Sequence, residues 1–195
     1  MPTSPLTLEQ QKLAFKNSKL LATPLAGLVA WFVVFLSSIW SSDQVVVYVL
    51  FIATGCIVYL GLGFSKLTGE DFLSASRPKN TFDRLFFYTV AQSLLVYAIA
   101  IPFFLIDYTS LPLTIGILTG LMWLPISWLI DHWIGMAHAV VRTLTIVALW
   151  YLFPADRFTA ISLAIVLIYL FTIRILIQRY KTLHRTQHQS DSELK

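Results

Sequence analysis

Residues 85–106 read LFFYTVAQSLLVYAIAIPFFLI, 22 residues between Arg84 and Asp107 without one Asp, Glu, Lys or Arg. At 1.5 Å per residue an α-helix of that length is about 33 Å long, enough to cross the ~30 Å hydrocarbon core of a bilayer. The apolar residues run continuously and do not alternate at period two, which is the pattern of a helix and not of a barrel strand. Beyond Asp107, residues 108–130 read YTSLPLTIGILTGLMWLPISWLI, again free of charge. Outward from this pair, Leu20–Ser42 and Gln44–Ser65 are charge-free runs of the same kind, while Gly135–Phe153 contains His138 and Arg142 and Phe158–Ile177 contains Arg174. The expected fold is an all-α polytopic transmembrane bundle of about six helices, near 20–41, 44–64, 85–106, 111–130, 135–153 and 158–177. The competing count is five, with residues 132–153 as a re-entrant or peripheral segment. Of the 195 residues, 57% are hydrophobic and 12% charged, about half the ~25% charge of a soluble protein. That excludes a soluble enzyme, a disordered chain and a disulfide-stapled secreted domain.

The basic residues orient the bundle. Lys12, Lys16 and Lys19 precede the first span. Lys66, Arg77, Lys79 and Arg84 lie between the second and third, and Arg174, Arg179, Lys181, Arg185 and Lys195 lie at or beyond the end of the sixth, which puts 12 of the 14 Lys and Arg on one side. The other side has Asp43, Asp107 and Asp156 against Arg157 alone. Basic loops stay in the cytoplasm, so both termini are expected there, which requires an even number of crossings. The expected location is the inner (cytoplasmic) membrane, multi-pass. The first apolar run is about twice the length of a secretory h-region and lacks a small-x-small cleavage site, so it reads as an uncleaved anchor. Trp40, Tyr108, Trp133, Trp150 and Tyr151 fall near helix ends, where amphipathic rings favour the interface.

Three pieces lie outside the spans. Residues 1–19 carry a helix-start signal, Thr7 with Gln10 three residues on, and read as an amphipathic segment with Leu8, Phe15 and lysines. The loop 65–84 mixes charges with Leu67, Phe72 and Leu73 and is expected to fold back onto the cytoplasmic face. The polar tail 178–195 is expected to fray. Cys56, the single cysteine, is expected to be a buried structural thiol in the second span.

Few residues in the spans carry chemistry. His138 and Arg142 are four apart and share a helix face, with Asp131 within reach across Gly135. A carboxylate, two imidazoles and a guanidinium near the cytoplasmic mouth of a bundle can bind an anion, relay protons or hold a metal. The plainer reading is a loop in which Asp131 is a solvated counter-ion and Arg142 snorkels to headgroups. Gln92 and Ser93 lie mid-span and need partners from a neighbouring helix or a solute. Gly116 and Gly120 form a small-x3-small pattern for close helix packing, followed by Pro125, which kinks the helix or frees a carbonyl, and by Trp128. His184 and His188 would form a metal clamp only in a helical tail, and no carboxylate follows until Asp191. No metal site, cofactor or nucleic-acid partner is expected, and no catalytic nucleophile is identifiable.

These residues resemble a family of small bacterial integral-membrane proteins known only as a domain of unknown function. The resemblance runs from about Phe51 onward: Ser65-Lys66-Leu67, Asp71-Phe72, Gln92, Gly120 with Pro125 and Trp128, and Ala137-His138. It implies a helical bundle in a bacterial cytoplasmic membrane and points to Gln92, Pro125 and His138 as neighbours of one cavity. It implies no chemistry.

The reading that follows is an integral membrane protein binding or passing a small solute or ion through a cytoplasm-facing cavity lined by Gln92, Trp128, Asp131, His138 and Arg142. Two others stand beside it. One is an embedded enzyme acting on a lipid or quinone, less favoured for want of a nucleophile. The other is a non-catalytic subunit docking through the helix-four glycines. The partners expected are the lipid bilayer, a small solute or anion and, for the glycines, another copy of the chain.

Overall fold

The structure is a computed structural model that describes residues 6–70, 72 and 80–193, with side chains of 6–70, 72, 80–183 and 185. In chain order the helices are α1 (Leu8–Lys16), α2 (Ala22–Trp40), α3 (Asp43–Gly55), α4 (Ile57–Thr68), α5 (Thr81–Leu95), α6 (Tyr97–Ile106), a 3-10 turn (Tyr108–Ser110), α7 (Leu111–Gly120), α8 (Trp123–Ile130), α9 (Ile134–Leu152) and α10 (Arg157–Glu193). Among the described residues there is no strand. Five helical stretches are long and apolar enough to cross a membrane: Ala22–Trp40, Thr81–Ile106, Tyr108–Ile130, Ile134–Leu152 and Arg157–Leu183. The bent pair α3–α4, which turns by 50°, passes the same test as one unit.

That pair is a broken span and not a re-entrant loop, because its two ends are anchored at opposite ends of the bundle. At one end the Tyr108 hydroxyl donates to Asp43 (3.2 Å), and nearby connections join Arg157 Nη1 to Thr109 (2.7 Å) and Thr159 to the Ser38 carbonyl (3.5 Å). At the other end Lys19 Nζ donates to the Thr68 carbonyl (2.7 Å). Arg179 there donates to the carbonyls of Lys16 and of Ile130, so the end of α1, the end of α8 and α10 at Arg179 meet at this end of the bundle. The doubtful span is thus the second. Residues 134–152, where the sequence left the count open, form one continuous helix.

The break at Cys56 has a local cause. Thr54 Oγ1 donates back to the Leu50 carbonyl (2.6 Å), a bond that bends helices, and accepts from the Tyr97 hydroxyl (2.7 Å). Cys56 is exposed on the outer surface of this bend, which corrects the expectation of a buried thiol. A groove of about 250 Å³ opens along the N-terminal part of α3, toward the end of α6, lined by Gln44, Val47, Tyr48, Phe51, Phe104 and Tyr108. Pro125 acts one turn early. It cannot donate to Leu121 O, which accepts instead from Leu124 N (3.1 Å), and the fourth span breaks between Gly120 and Trp123.

At the basic end the chain is clamped through helix termini. Glu70, buried, accepts from the amides of Leu21 and Ala22 (2.8 and 3.0 Å) at the start of α2, while Lys19 sits at the last carbonyl of α4. An anion at a helix N-terminus and a cation at a C-terminus both oppose the helix dipole favourably. The two flank Leu20, held at φ 56°, a left-handed conformation that costs a non-glycine residue about 1–2 kcal/mol. The Thr7 and Gln10 capping box forms and starts α1, which lies against α5 and α8. Against the expected fraying after Gln178, α10 continues through the described residues to Glu193, with no Gly or Pro to interrupt it. His184 is a helical residue whose side chain, like that of His188, lies outside the described residues. The loop 65–84 is described only at 65–70, 72 and 80–84.

Candidate functional site

Arg142 stands ninth of the 19 residues of α9, at mid-span and not at the mouth of the bundle. It is fully buried, surrounded by α2, α7 and α10. Nη1 donates to the Tyr169 hydroxyl (3.1 Å) and to His138 Nε2 (3.4 Å), and Nη2 donates to Thr119 Oγ1 (3.1 Å). The guanidinium carbon lies 5.4 Å from the centre of the Trp31 ring and 5.3 Å from that of Tyr169, within range of cation–π attraction. Among the described residues no carboxylate pairs with it.

The hydroxyls fix the direction of each bond. Thr119 gives its proton to the Ile115 carbonyl (2.6 Å) and therefore accepts from Arg142. Thr172 gives its proton to the Ile168 carbonyl (2.8 Å), so at 2.8 Å it accepts from His138 Nδ1–H. With the ring proton on Nδ1, Nε2 carries the lone pair that receives Arg142. His138 is neutral in this arrangement. It stacks on Trp123 with ring centres 4.4 Å apart and stands 4.9 Å from Tyr169.

Glycines admit these large groups. A Cβ on Gly120 would lie 3.0 Å from Arg142 Cδ and 3.2 Å from Nε, and one on Gly27 would lie 2.4 Å from the Tyr169 oxygen. A Cβ on Gly116 would meet Ile146 at 2.8 Å. The small-x3-small face of the fourth span is therefore filled from within the chain and does not offer a surface for another subunit. Gly135 brings α9 against α8, where a Cβ would lie 2.6 Å from the Trp123 carbonyl.

What the pocket lacks is acceptors. Arg142 Nε, Trp31 Nε1 and Trp123 Nε1 are buried N–H donors without a hydrogen-bond partner among the described residues. All three belong to side chains in the Arg142–His138 cluster. Buried polar groups are nearly always paired, so three orphaned donors beside one cation without a carboxylate form a concentrated shortage of hydrogen-bond acceptors.

Of the five residues expected to line one cavity, only His138 and Arg142 meet. Asp131 is the left-handed cap of α8 (φ 50°) and pairs with Lys16 (2.8 Å) at the exposed basic end. The hydrogen bond and charge of Lys16 hold its carboxyl below the usual range. His132 beside it caps α9 through Nδ1, which accepts from Ile134 N (3.2 Å). Burial, then the charge of Arg179, pushes its pKa below the ordinary histidine value. Trp128 is 60% exposed, under the ammonium of Lys12 at 4.4 Å. Gln92 faces outward from α5. A single cavity lined by all five is therefore absent from this arrangement.

Thr119, Tyr169, Thr172, Trp31 and Trp123 were not picked out by the sequence reading. The signal available for two of them was the spacing Ser162, Ile165, Tyr169, Thr172, Leu176, a helical stripe with three polar members inside an apolar span. Among the described residues no group of three or more His, Cys, Asp or Glu side chains is placed to hold a metal ion.

No curated protein and no solved structure matches the chain. Residues 6–179 match the model of the family of unknown function DUF7010, and the chain belongs to that family.

Proposed function

We propose that this membrane protein binds a small monovalent anion inside the bundle, with Arg142 as its counter-charge, and passes it across the membrane. The observation that carries this reading is the buried guanidinium, with orphaned N–H donors on Arg142, Trp31 and Trp123, and with no carboxylate among the described residues paired to it. A buried charge without a partner is costly, and arginine does not escape by losing its proton. An anion supplies at once the acceptor and the charge that the cluster lacks. One guanidinium matches one negative charge, and the tight packing favours a small ion over an extended solute.

His138 couples the site to protons. Proton uptake at Nε2 removes the lone pair to which Arg142 donates, frees Nη1 and adds a second positive charge. Tyr169 and Thr172 of α10, Trp123 of α8 and Arg142 itself are the groups packed on the ring, and none is a carboxylate. Anion and proton are expected to assist each other's binding. The basic end, where Lys12, Lys16, Lys19 and Arg179 gather, is read as the cytoplasmic side by the distribution of positive charge, and the membrane as a bacterial inner membrane.

The test is anion flux from liposomes reconstituted with the purified protein, using chloride, nitrate and formate as probes at pH 5.5 and 7.5. Flux above that of protein-free vesicles, faster at the lower pH and lost in Arg142→Met, is expected. Absence of flux for all three probes, or equal flux in the variant, would refute the proposal.

A further inference from the structure

We infer that two copies of the chain associate through the outer face of the third span, meeting at Gln92. The span Thr81–Ile106 is the least enclosed of the five: 17% of its most apolar window is buried, against 33–50% for the others. Gln92 is its twelfth residue of 26, at mid-bilayer depth, and its side chain is exposed. Among the described residues it has no hydrogen-bond partner. In hydrocarbon neither water nor lipid tail can pair a primary amide, and leaving it unpaired costs several kcal/mol.

The surroundings of Gln92 have the form of a helix-pairing seam. Leu85, Tyr88, Leu95 and Ile99 are exposed, and with Gln92 they follow spacings of three and four residues. That is the repeat by which two helices wrap in a left-handed pair. A polar residue within such a seam sets register. An amide is donor and acceptor together, so two copies related by a twofold axis satisfy each other across the seam. This self-complementarity selects a second copy as the occupant over a lipid chain, which offers neither group. The glycine face of the fourth span is already filled by Arg142 and Ile146, so the third span takes the role that the glycines do not.

The experiment uses full-length protein in lipid bilayers, labelled for energy transfer between copies and diluted with lipid. Wild type is expected to dissociate on dilution with a measurable midpoint. Gln92→Leu should weaken association by roughly 3- to 30-fold, the range of a single interhelical hydrogen bond in membranes, while the monomer remains folded because no group among the described residues pairs with Gln92. Gln92→Asn should recover part of the loss. In a Cys56→Ser background, Leu95→Cys should cross-link to its own copy, and Leu144→Cys, on the exposed face of α9, should not. A monomer at every dilution, association unchanged in Gln92→Leu, equal cross-linking at both positions, or cross-linking of Leu95→Cys only to a different protein would each overturn the inference.

Discussion

Arg142 and Gln92 both lie near mid-bilayer depth in this bundle, and they are treated in opposite ways. Arg142 is sealed in the centre among α2, α7, α9 and α10, held by two hydroxyls, one imidazole and two aromatic rings. Gln92 stands on the outermost span facing away from the bundle. In the centre, glycines at 27, 120 and 135 let bulky groups and backbones approach closely. On the third span, large apolar side chains point outward. The contrast teaches that burial inside the chain is not what decides whether a polar group in a membrane has a role. Each group lacks something its surroundings do not supply: a negative charge for Arg142, a second amide for Gln92.

Substitutions should separate the two regions by size of effect. The largest loss is expected for Gly135→Ala, whose methyl meets backbone on α8 that cannot step aside. Overpacking of this kind costs about 3 kcal/mol, read as a lower unfolding midpoint of the purified protein, whereas Ile99→Ala on the outer span should change the monomer's midpoint little. Next comes Gly120→Ala. Its methyl presses on the flexible Arg142 stem, so a loss of about 1–2 kcal/mol is expected, together with a displaced guanidinium and weakened anion response. An unchanged midpoint in both glycine variants would break the picture of a closely packed centre.

The smallest effect concerns pH at the basic end. His132 has a folded pKa below its unfolded one, so the folded state resists protonation more than the unfolded state does. Its contribution is complete above the unfolded value of about 6.5 and declines as pH falls from there through the folded value. Unfolding midpoints measured between pH 7.5 and 5 should fall less in His132→Gln than in wild type. An identical fall in both would show that His132 is not the group responsible.

Much of the architecture was legible because charge-free runs of 20 or more residues have one physical solution in a bilayer. The break at Cys56 was not legible, since it depends on Thr54 bonding back to Leu50 and meeting Tyr97 of the next span, and carries no proline. Pro125 announced a break in the fourth span but not its position. Arg142 was legible as an anomaly, a charge too deep to be solvated. Its partners were not, because Trp31, Thr119 and Tyr169 are ordinary residues of apolar helices until packing brings them together. Asp131 seemed close to Arg142 in sequence. The left-handed turn at Asp131 sends it to Lys16 at the surface instead. Glu70 read as one more loop charge, and only the fold reveals it as the cap of α2.

The central claim is that Arg142 is kept for an anion and not as a tie between helices. The direct measurement is the unfolding temperature of wild type and Arg142→Met in bilayer discs as chloride, nitrate or formate replaces gluconate at fixed ionic strength. A ligand that binds only the folded state stabilises it by about 2.7 kcal/mol at 100 times its dissociation constant. The account predicts a saturable rise for wild type with at least one of these ions. It predicts no rise for Arg142→Met, whose midpoint without the ion equals or exceeds that of wild type, because an uncompensated buried charge has been removed. A wild type indifferent to all three anions, with Arg142→Met unfolding well below it, would contradict the claim and make the guanidinium a structural tie.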